Sequence, residues 1–202
     1  DAIIANLNHK LSSEFVKYGL ERSKLKTRDF ADTDTNVLIE DSVRGSDVFL
    51  VQQVFDPNSH RTIFHNLMET LVTIYALRTS GANKITTILP YHPSARQDKS
   101  KGREPITARL FADLIGKAGT DNVLTVDLHS DQIIGFYDPN QTKIDNLRAS
   151  RLLIPAIKDL VPKKNRDNLV IMGPDAGGAP RAQYYAKQFA TEMAHAYKRR
   201  NF

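Results

Sequence analysis

Short apolar runs alternate along the chain with stretches in which apolar residues return every three or four positions. Residues 36–39, 48–51, 85–89, 123–126 and 169–172, with a shorter run at 3–5, predict buried strands. Residues 11–18, 67–78, 106–117 and 179–193 carry the helical spacing. Gly81 and Gly119 come after two of these helices where a C-terminal cap belongs, and Pro105 sits at the start of the third, where its missing donor costs nothing. Strand–helix alternation of this kind predicts an α/β fold of parallel sheets flanked by helices, with right-handed crossovers. Ligands are then expected at the carboxyl ends of the strands. The polar stretch Pro139-Asn140-Gln141-Thr142-Lys143 lies in the best domain break, between residues 138 and 150. The remaining C-terminal segment, about 55 residues, is small for an independent α/β core.

Composition narrows the chemistry. Without cysteine there is no thiolate nucleophile, disulfide framework or zinc–thiolate site. No eighteen-residue apolar run or signal-peptide pattern is visible, so a soluble, cytoplasmic protein is expected. The net charge of +5 is not spread over a face. Residues 158–202 hold nine basic side chains against four acidic ones, whereas residues 1–157 balance at 19 of each. A nucleic-acid surface would need aromatics interleaved with those cations, and they are not arranged so.

Each candidate loop adjoins a predicted strand. Residues 90–103 place Arg96, Lys99, Lys101 and Arg103 around Gln97 and a single Asp98, just before a helix. Cations, amide donors and a helix N-terminus suit a polyphosphate, although a solvated basic loop has the same composition. Asp127-Leu128-His129-Ser130-Asp131 offers oxygen and nitrogen donors at alternate positions, as a divalent metal or a hydrogen-bonded strand end requires. Gly173-Pro174-Asp175-Ala176-Gly177-Gly178 is glycine-rich without being a Walker loop, and is either an anion cradle or a tight turn. Asp29-Phe30-Ala31-Asp32-Thr33-Asp34 sets one aromatic among carboxylates, a base-stacking patch or a capped turn.

Taken in order, Phe30-Ala31-Asp32-Thr33-Asp34, Ser42-Val43-Arg44-Gly45, Asn66-Leu67-Met68-Glu69, Ala95-Arg96-Gln97-Asp98, Arg103-Glu104-Pro105-Ile106-Thr107-Ala108, Asp127-Leu128-His129, Gln132-Ile133-Ile134-Gly135-Phe136, Asp145-Asn146-Leu147, Gly173-Pro174-Asp175-Ala176-Gly177-Gly178 and Lys198-Arg199-Arg200 resemble the ribose-phosphate pyrophosphokinases. The resemblance runs through nearly the whole chain. It implies two tandem phosphoribosyltransferase-like domains, residues 1–147 and an incomplete second at 148–202. It implies diphosphoryl transfer from ATP to the anomeric hydroxyl of ribose 5-phosphate, with Mg2+. By the same resemblance Arg96, Gln97 and Lys99 meet ATP. Phe30, Asp32 and Asp34 hold adenine from a neighbouring subunit of a homo-oligomer, dimers assembling into hexamers. His129 and Asp175, with Asp127 nearby, sit at magnesium positions, and Lys198 and Arg200 act in a mobile catalytic loop. No nucleic-acid or membrane partner is implied.

The chain departs from the family pattern in several places. Asp34 stands where the family usually has Glu, residues 55–65 are longer than usual, and extra residues precede Asp145. The acidic loop expected to grip the ribose phosphate does not occur before Phe202, so this 202-residue form is expected to be inactive alone. A catalytically silent regulatory subunit is the alternative expectation.

Overall fold

The structure, a computed structural model, describes residues 22–197. The predicted strand at 3–5 and helix at 11–18, together with Lys198 and Arg200, lie outside the described residues. The chain divides into two compact units, one running to Asn146 and the other from Leu147.

In the first unit an antiparallel hairpin, β1 (Leu25–Asp29) and β2 (Thr35–Ile39), precedes a four-stranded sheet. Its strands are β3 (Asp47–Val51), β4 (Lys84–Leu89), β5 (Asn122–Val126) and β6 (Lys143–Leu147), neighbours in that order. β3, β4 and β5 run parallel, with Val48 beside Ile85 and Thr87 beside Val123. Helix α1 (Ile63–Thr79) joins β3 to β4, and α2 (Thr107–Ala118) joins β4 to β5. Sheet and helices close on Leu67, Ile74, Leu77, Ile85, Leu89, Phe111, Ile115, Val123 and Ile133, all buried. The alternation of apolar runs and helical spacing is thus realised as helix-connected parallel strands, the arrangement that needs a crossover.

Local chemistry sets the helix ends. Thr62 caps α1 by accepting from the His65 N–H at 3.1 Å. Gly119 closes α2 at φ +112°, a left-handed conformation open to glycine, where a Cβ would come within 3.2 Å of the Arg78 side chain. Arg78 occupies that space, donating to the Gly119 carbonyl and to Asp121, whose carboxylate also accepts from the Ile85 N–H at 2.7 Å.

The second unit holds α3 (Ser150–Leu160), β7 (Val170–Gly173), α4 (Ala179–Phe189) and β8 (Glu192–His195). β7 and β8 pair in parallel, and Ile154, Ala182, Ala186 and Phe189 are buried within it.

Several expectations need correction. β1 is wholly exposed and polar in sequence, so no apolar alternation announced it, and its antiparallel pairing departs from the all-parallel expectation. No apolar run predicted β6, which lies within the stretch at residues 138–150 and sits beside β5. α3 carries Pro155 in its interior, which obscured its helical pattern. The helix predicted over 179–193 stops at Phe189, because Ala190 adopts φ +52° and the chain turns into β8. Pro105 precedes α2 rather than opening it, since Thr107 is the first helical residue.

Candidate functional site

β4 and β5 are adjacent and parallel, so the loops leaving them share one edge of the sheet. The first is the basic loop, residues 90–103. Its inward-facing residues His92, Pro93, Ala95 and Asp98 are buried, while Arg96, Gln97 and Lys99 are exposed. Ser94 takes φ +52°, and the Gln97 N–H returns to the Ser94 carbonyl at 2.8 Å, closing a turn with Ala95 and Arg96 at its centre. The Gln97 carbonyl then accepts from the Ala108 N–H at 3.2 Å, and its side-chain oxygen accepts from the Thr107 hydroxyl at 2.5 Å. The loop is therefore pinned to the first turn of α2, whose unpaired amides and positive dipole end favour an anion.

The second loop carries Asp127 and His129. Asp127 leaves β5 half-buried at φ +47°, a conformation an Asp tolerates better than most residues, and His129 is exposed. Between them, the Leu128 N–H donates to Asn146 Oδ1 at 3.1 Å, and Asn146 in turn donates to Asp131 at 3.0 Å. A 3-10 turn spans Asp131–Phe136. Its Gln132 amide donates to both the carbonyl and the carboxylate of Asp98, at 2.7 and 2.9 Å. Basic loop and candidate metal segment are thus in direct contact. Five residues on, the Tyr137 hydroxyl meets His92 Nε2 at 2.9 Å, and His92 Nδ1 meets the Pro93 carbonyl at 2.9 Å. Burial pushes the His92 imidazole down to about 4, the Pro93 carbonyl offsetting part of this, and burial raises the Tyr137 hydroxyl.

Among the described residues no three His, Asp or Glu side chains gather into a metal cage. Asp127 and His129 form a sparse donor set, one half-buried carboxylate and one exposed imidazole. Such a set fits a cation that keeps waters and takes the rest of its shell from a substrate's phosphates, as Mg2+ does.

Phe30, Asp32 and Asp34 occupy the tip of the β1–β2 hairpin, all exposed. Backbone bonds from Phe30 to Asp34 and from Thr33 to Phe30 close it, with Thr33 at φ +71°. The Arg28 guanidinium lies 5.3 Å from the Phe30 ring centre. Just below the tip, where β1 ends, Arg61 donates to Asp29 at 2.7 Å and to Glu69 of α1 at 2.6 Å. Burial alone would raise the Asp29 carboxyl, yet the Thr35 hydrogen bond and the Arg61 guanidinium hold it below its usual range.

In the second unit, considered by itself, Asp175 comes directly after β7 and accepts from the Gly178 N–H at 2.9 Å. A Cβ at Gly178 would stand 2.9 Å from the Pro174 ring, so the closure of the turn accounts for that glycine. A cleft of about 320 Å³ bordered by Arg109, Asp113, Lys117 and Gln141 is lined by none of the candidate residues. Sequence reasoning missed the Gln132–Asp98 and Tyr137–His92 bonds and the Arg61 bridge. Of these, only the first joins two residues of the family-like motifs.

Comparison with known proteins decides the family. The N-terminal domain of ribose phosphate pyrophosphokinase matches residues 3–119. The chain belongs to the ribose-phosphate pyrophosphokinase family. It is 40% identical over 193 residues to the ribose-phosphate pyrophosphokinase of Wolinella succinogenes, covering 95% of this chain and 59% of that one. It is 41% identical over 202 residues to that of Bradyrhizobium diazoefficiens, covering 98% and 60%. A crystal structure of phosphoribosylpyrophosphate synthetase from Mycobacterium smegmatis superposes with a TM-score of 0.79 at 37% identity, covering 95% of this chain and 62% of that one. The chain thus spans about three fifths of the length of these relatives. The family fold matches the expected α/β class, with the parallel sheet and its helices where the alternation placed them. Among the described residues no helix is long and apolar enough to cross a membrane.

Proposed function

We propose that the protein transfers the diphosphoryl group of ATP to the anomeric hydroxyl of ribose 5-phosphate, releasing AMP. The observation that carries this reading is the joining of the two loops at one sheet edge. Arg96, Gln97 and Lys99 face outward on a loop that Gln132 ties to the segment beginning at His129. Family membership supplies the reaction class, and residues 1–147 and 148–202 are read as a phosphoribosyltransferase-like domain and part of a second.

In the reaction the anomeric oxygen attacks the β-phosphorus and forms the new O–P bond. The bond from that phosphorus to the α-phosphate oxygen breaks, AMP leaves with the electron pair, and the hydroxyl proton passes to solvent. Arg96, Gln97 and Lys99 bind and orient the triphosphate, so that attack proceeds in line. His129 and Asp175 are each read as a residue at a magnesium position, with Asp127 beside His129 in the same motif, and Mg2+ when bound would supply positive charge to the phosphate oxygens. Lys198 and Arg200 stabilise charge that grows on the phosphoryl oxygens and the leaving AMP. Phe30 stacks on adenine while Asp32 and Asp34 accept from its exocyclic amine, serving the site of a neighbouring copy in a cytoplasmic homo-oligomer.

AMP release from ATP that requires both ribose 5-phosphate and Mg2+, measured on the intact protein, tests the reading. Its absence would leave a silent regulatory subunit as the better account. Lys198→Ala is expected to lower kcat by about a hundredfold or more with ATP affinity nearly unchanged, as expected of a group acting in the transition state. Equal losses in both would remove that role.

A further inference from the structure

His92 and Tyr137 form a buried hydrogen-bonded pair for which the proposed reaction has no direct use. Both side chains are shielded, with 2% and 5% exposure, and their rings meet edge-on at 6.0 Å between centroids. Chemistry fixes the direction of each bond. A carbonyl only accepts, so the Nδ1 facing the Pro93 oxygen at 2.9 Å carries the ring proton. A neutral imidazole then has its lone pair on Nε2, and the Tyr137 hydroxyl donates to it at 2.9 Å. The result is a one-way chain, Tyr137 O–H to His92 Nε2, then His92 Nδ1–H to the Pro93 carbonyl. It ends on the residue before Ser94, whose left-handed backbone opens the turn that presents Arg96 and Gln97.

The same segment grips the basic loop a second time through Gln132 and Asp98. Position 92 and position 98 bracket Arg96 and Gln97, so the loop between them is held at both ends. Neither bracket residue is exposed to phosphate, because Asp98 and His92 are 3% and 2% exposed.

We infer that His92 and Tyr137 are a positioning pair that fixes Arg96 and Gln97 for the triphosphate, acting through the Pro93–Ser94 backbone. This deepens the proposed ATP site and rests on it. A group that orients ligands shared by ground and transition state contributes uniform binding, so its loss raises KM more than it lowers kcat.

The test uses Tyr137→Phe in the intact protein, with two readouts. The first is trypsin cleavage after Lys99, Lys101 and Arg103, which reports loop positioning without any assumption about the reaction. The second is the steady-state response to ATP. Tyr137→Phe is expected to speed cleavage and to raise the KM for ATP about tenfold, equivalent to ~1.4 kcal/mol, with kcat within about twofold. His92→Gln, whose amide oxygen still accepts from Tyr137, should fall between wild type and Tyr137→Phe on both readouts. It also serves should Tyr137→Phe fail to fold. Unchanged cleavage and unchanged KM in both variants would overturn the inference, as would a fall in kcat with KM constant. An inactive wild type whose loop is still loosened by Tyr137→Phe would sink the ATP reading while leaving the pair's structural hold on the loop.

Discussion

The hairpin tip at residues 30–34 and the basic loop at residues 90–103 both present exposed polar side chains, but different forces anchor them. The hairpin tip is held at the end of β1 by Arg61, whose guanidinium reaches Asp29 at 2.7 Å and Glu69 at 2.6 Å. Arg61 and Asp29 are both more than a third exposed, so solvent and salt screen that pair. The basic loop is held from beneath by His92, Pro93, Ala95 and Asp98, which are buried, by the buried His92–Tyr137 bond and by the part-buried Gln132–Asp98 bonds. In the interior an unmade bond costs the full desolvation of the group left behind, whereas at the surface water replaces the lost partner. On the proposed reading, a tip that contacts adenine in a neighbouring copy would tolerate adjustment, whereas a loop that orients a triphosphate for in-line attack would not.

The largest expected effect that would break this contrast is pH-dependent. His92 titrates near 6.5 when unfolded and about 4 when folded, because burial penalises the imidazolium. Between those values the unfolded chain binds more protons, so this stability is complete above about 6.5 and is lost as pH falls toward 4. The loss is at most about 3 kcal/mol. Urea unfolding of wild type and His92→Phe across that range should show a steeper fall for wild type. Parallel curves would mean that His92 is not held neutral by burial.

Next in size is Gln132→Ala, which takes two part-buried hydrogen bonds from the carbonyl and carboxylate of the buried Asp98. A loss of about 2 kcal/mol is expected by chemical denaturation, with faster tryptic cleavage of the basic loop. A change within experimental error would show that water reaches Asp98 and that the loop is no better anchored than the hairpin.

The smallest effect should come from Asp29→Asn, which removes the exposed arm of the Arg61 bridge and leaves the Arg61–Glu69 pair in place. Amide exchange in β1 and β2 should quicken while global melting barely moves. The difference should also shrink in roughly 1 M salt. Asp29 adds an acid dependence of its own. Its folded pKa lies below the ordinary value of 3.8, so its contribution is present above that value and is lost as pH falls below it. A loss from Asp29→Asn as large as that from Gln132→Ala would erase the distinction between the two loops.

The parallel strands of the first unit were legible in the sequence because each carries a short run rich in apolar and β-branched residues. β1 and β6 were not, since Leu25–Asp29 and Lys143–Leu147 expose most of their side chains and owe their pairing to a neighbour. The site shows the same division. Arg96, Gln97, Lys99, Asp127 and His129 stood out because charged and polar residues crowded at strand ends are conspicuous wherever they occur. His92 looked like one more polar loop residue, and Tyr137 like one more aromatic.

What the sequence determined by itself is the fold class, and it marked out a loop whose composition suits a polyphosphate. Both rest on local quantities: the period of the apolar residues, and the density of cations before a helix. What only the tertiary structure decided is which residues hold those cations in place. Gln132 and Asp98 are 34 positions apart, and His92 and Tyr137 are 45 apart. Their partnership exists because β4 and β5 lie side by side and deliver both loops to one edge. Hydrogen bonds are directional and short-ranged, so no periodicity encodes them across such separations. They arise from packing, and so does the difference between a solvated basic loop and one presented to a substrate.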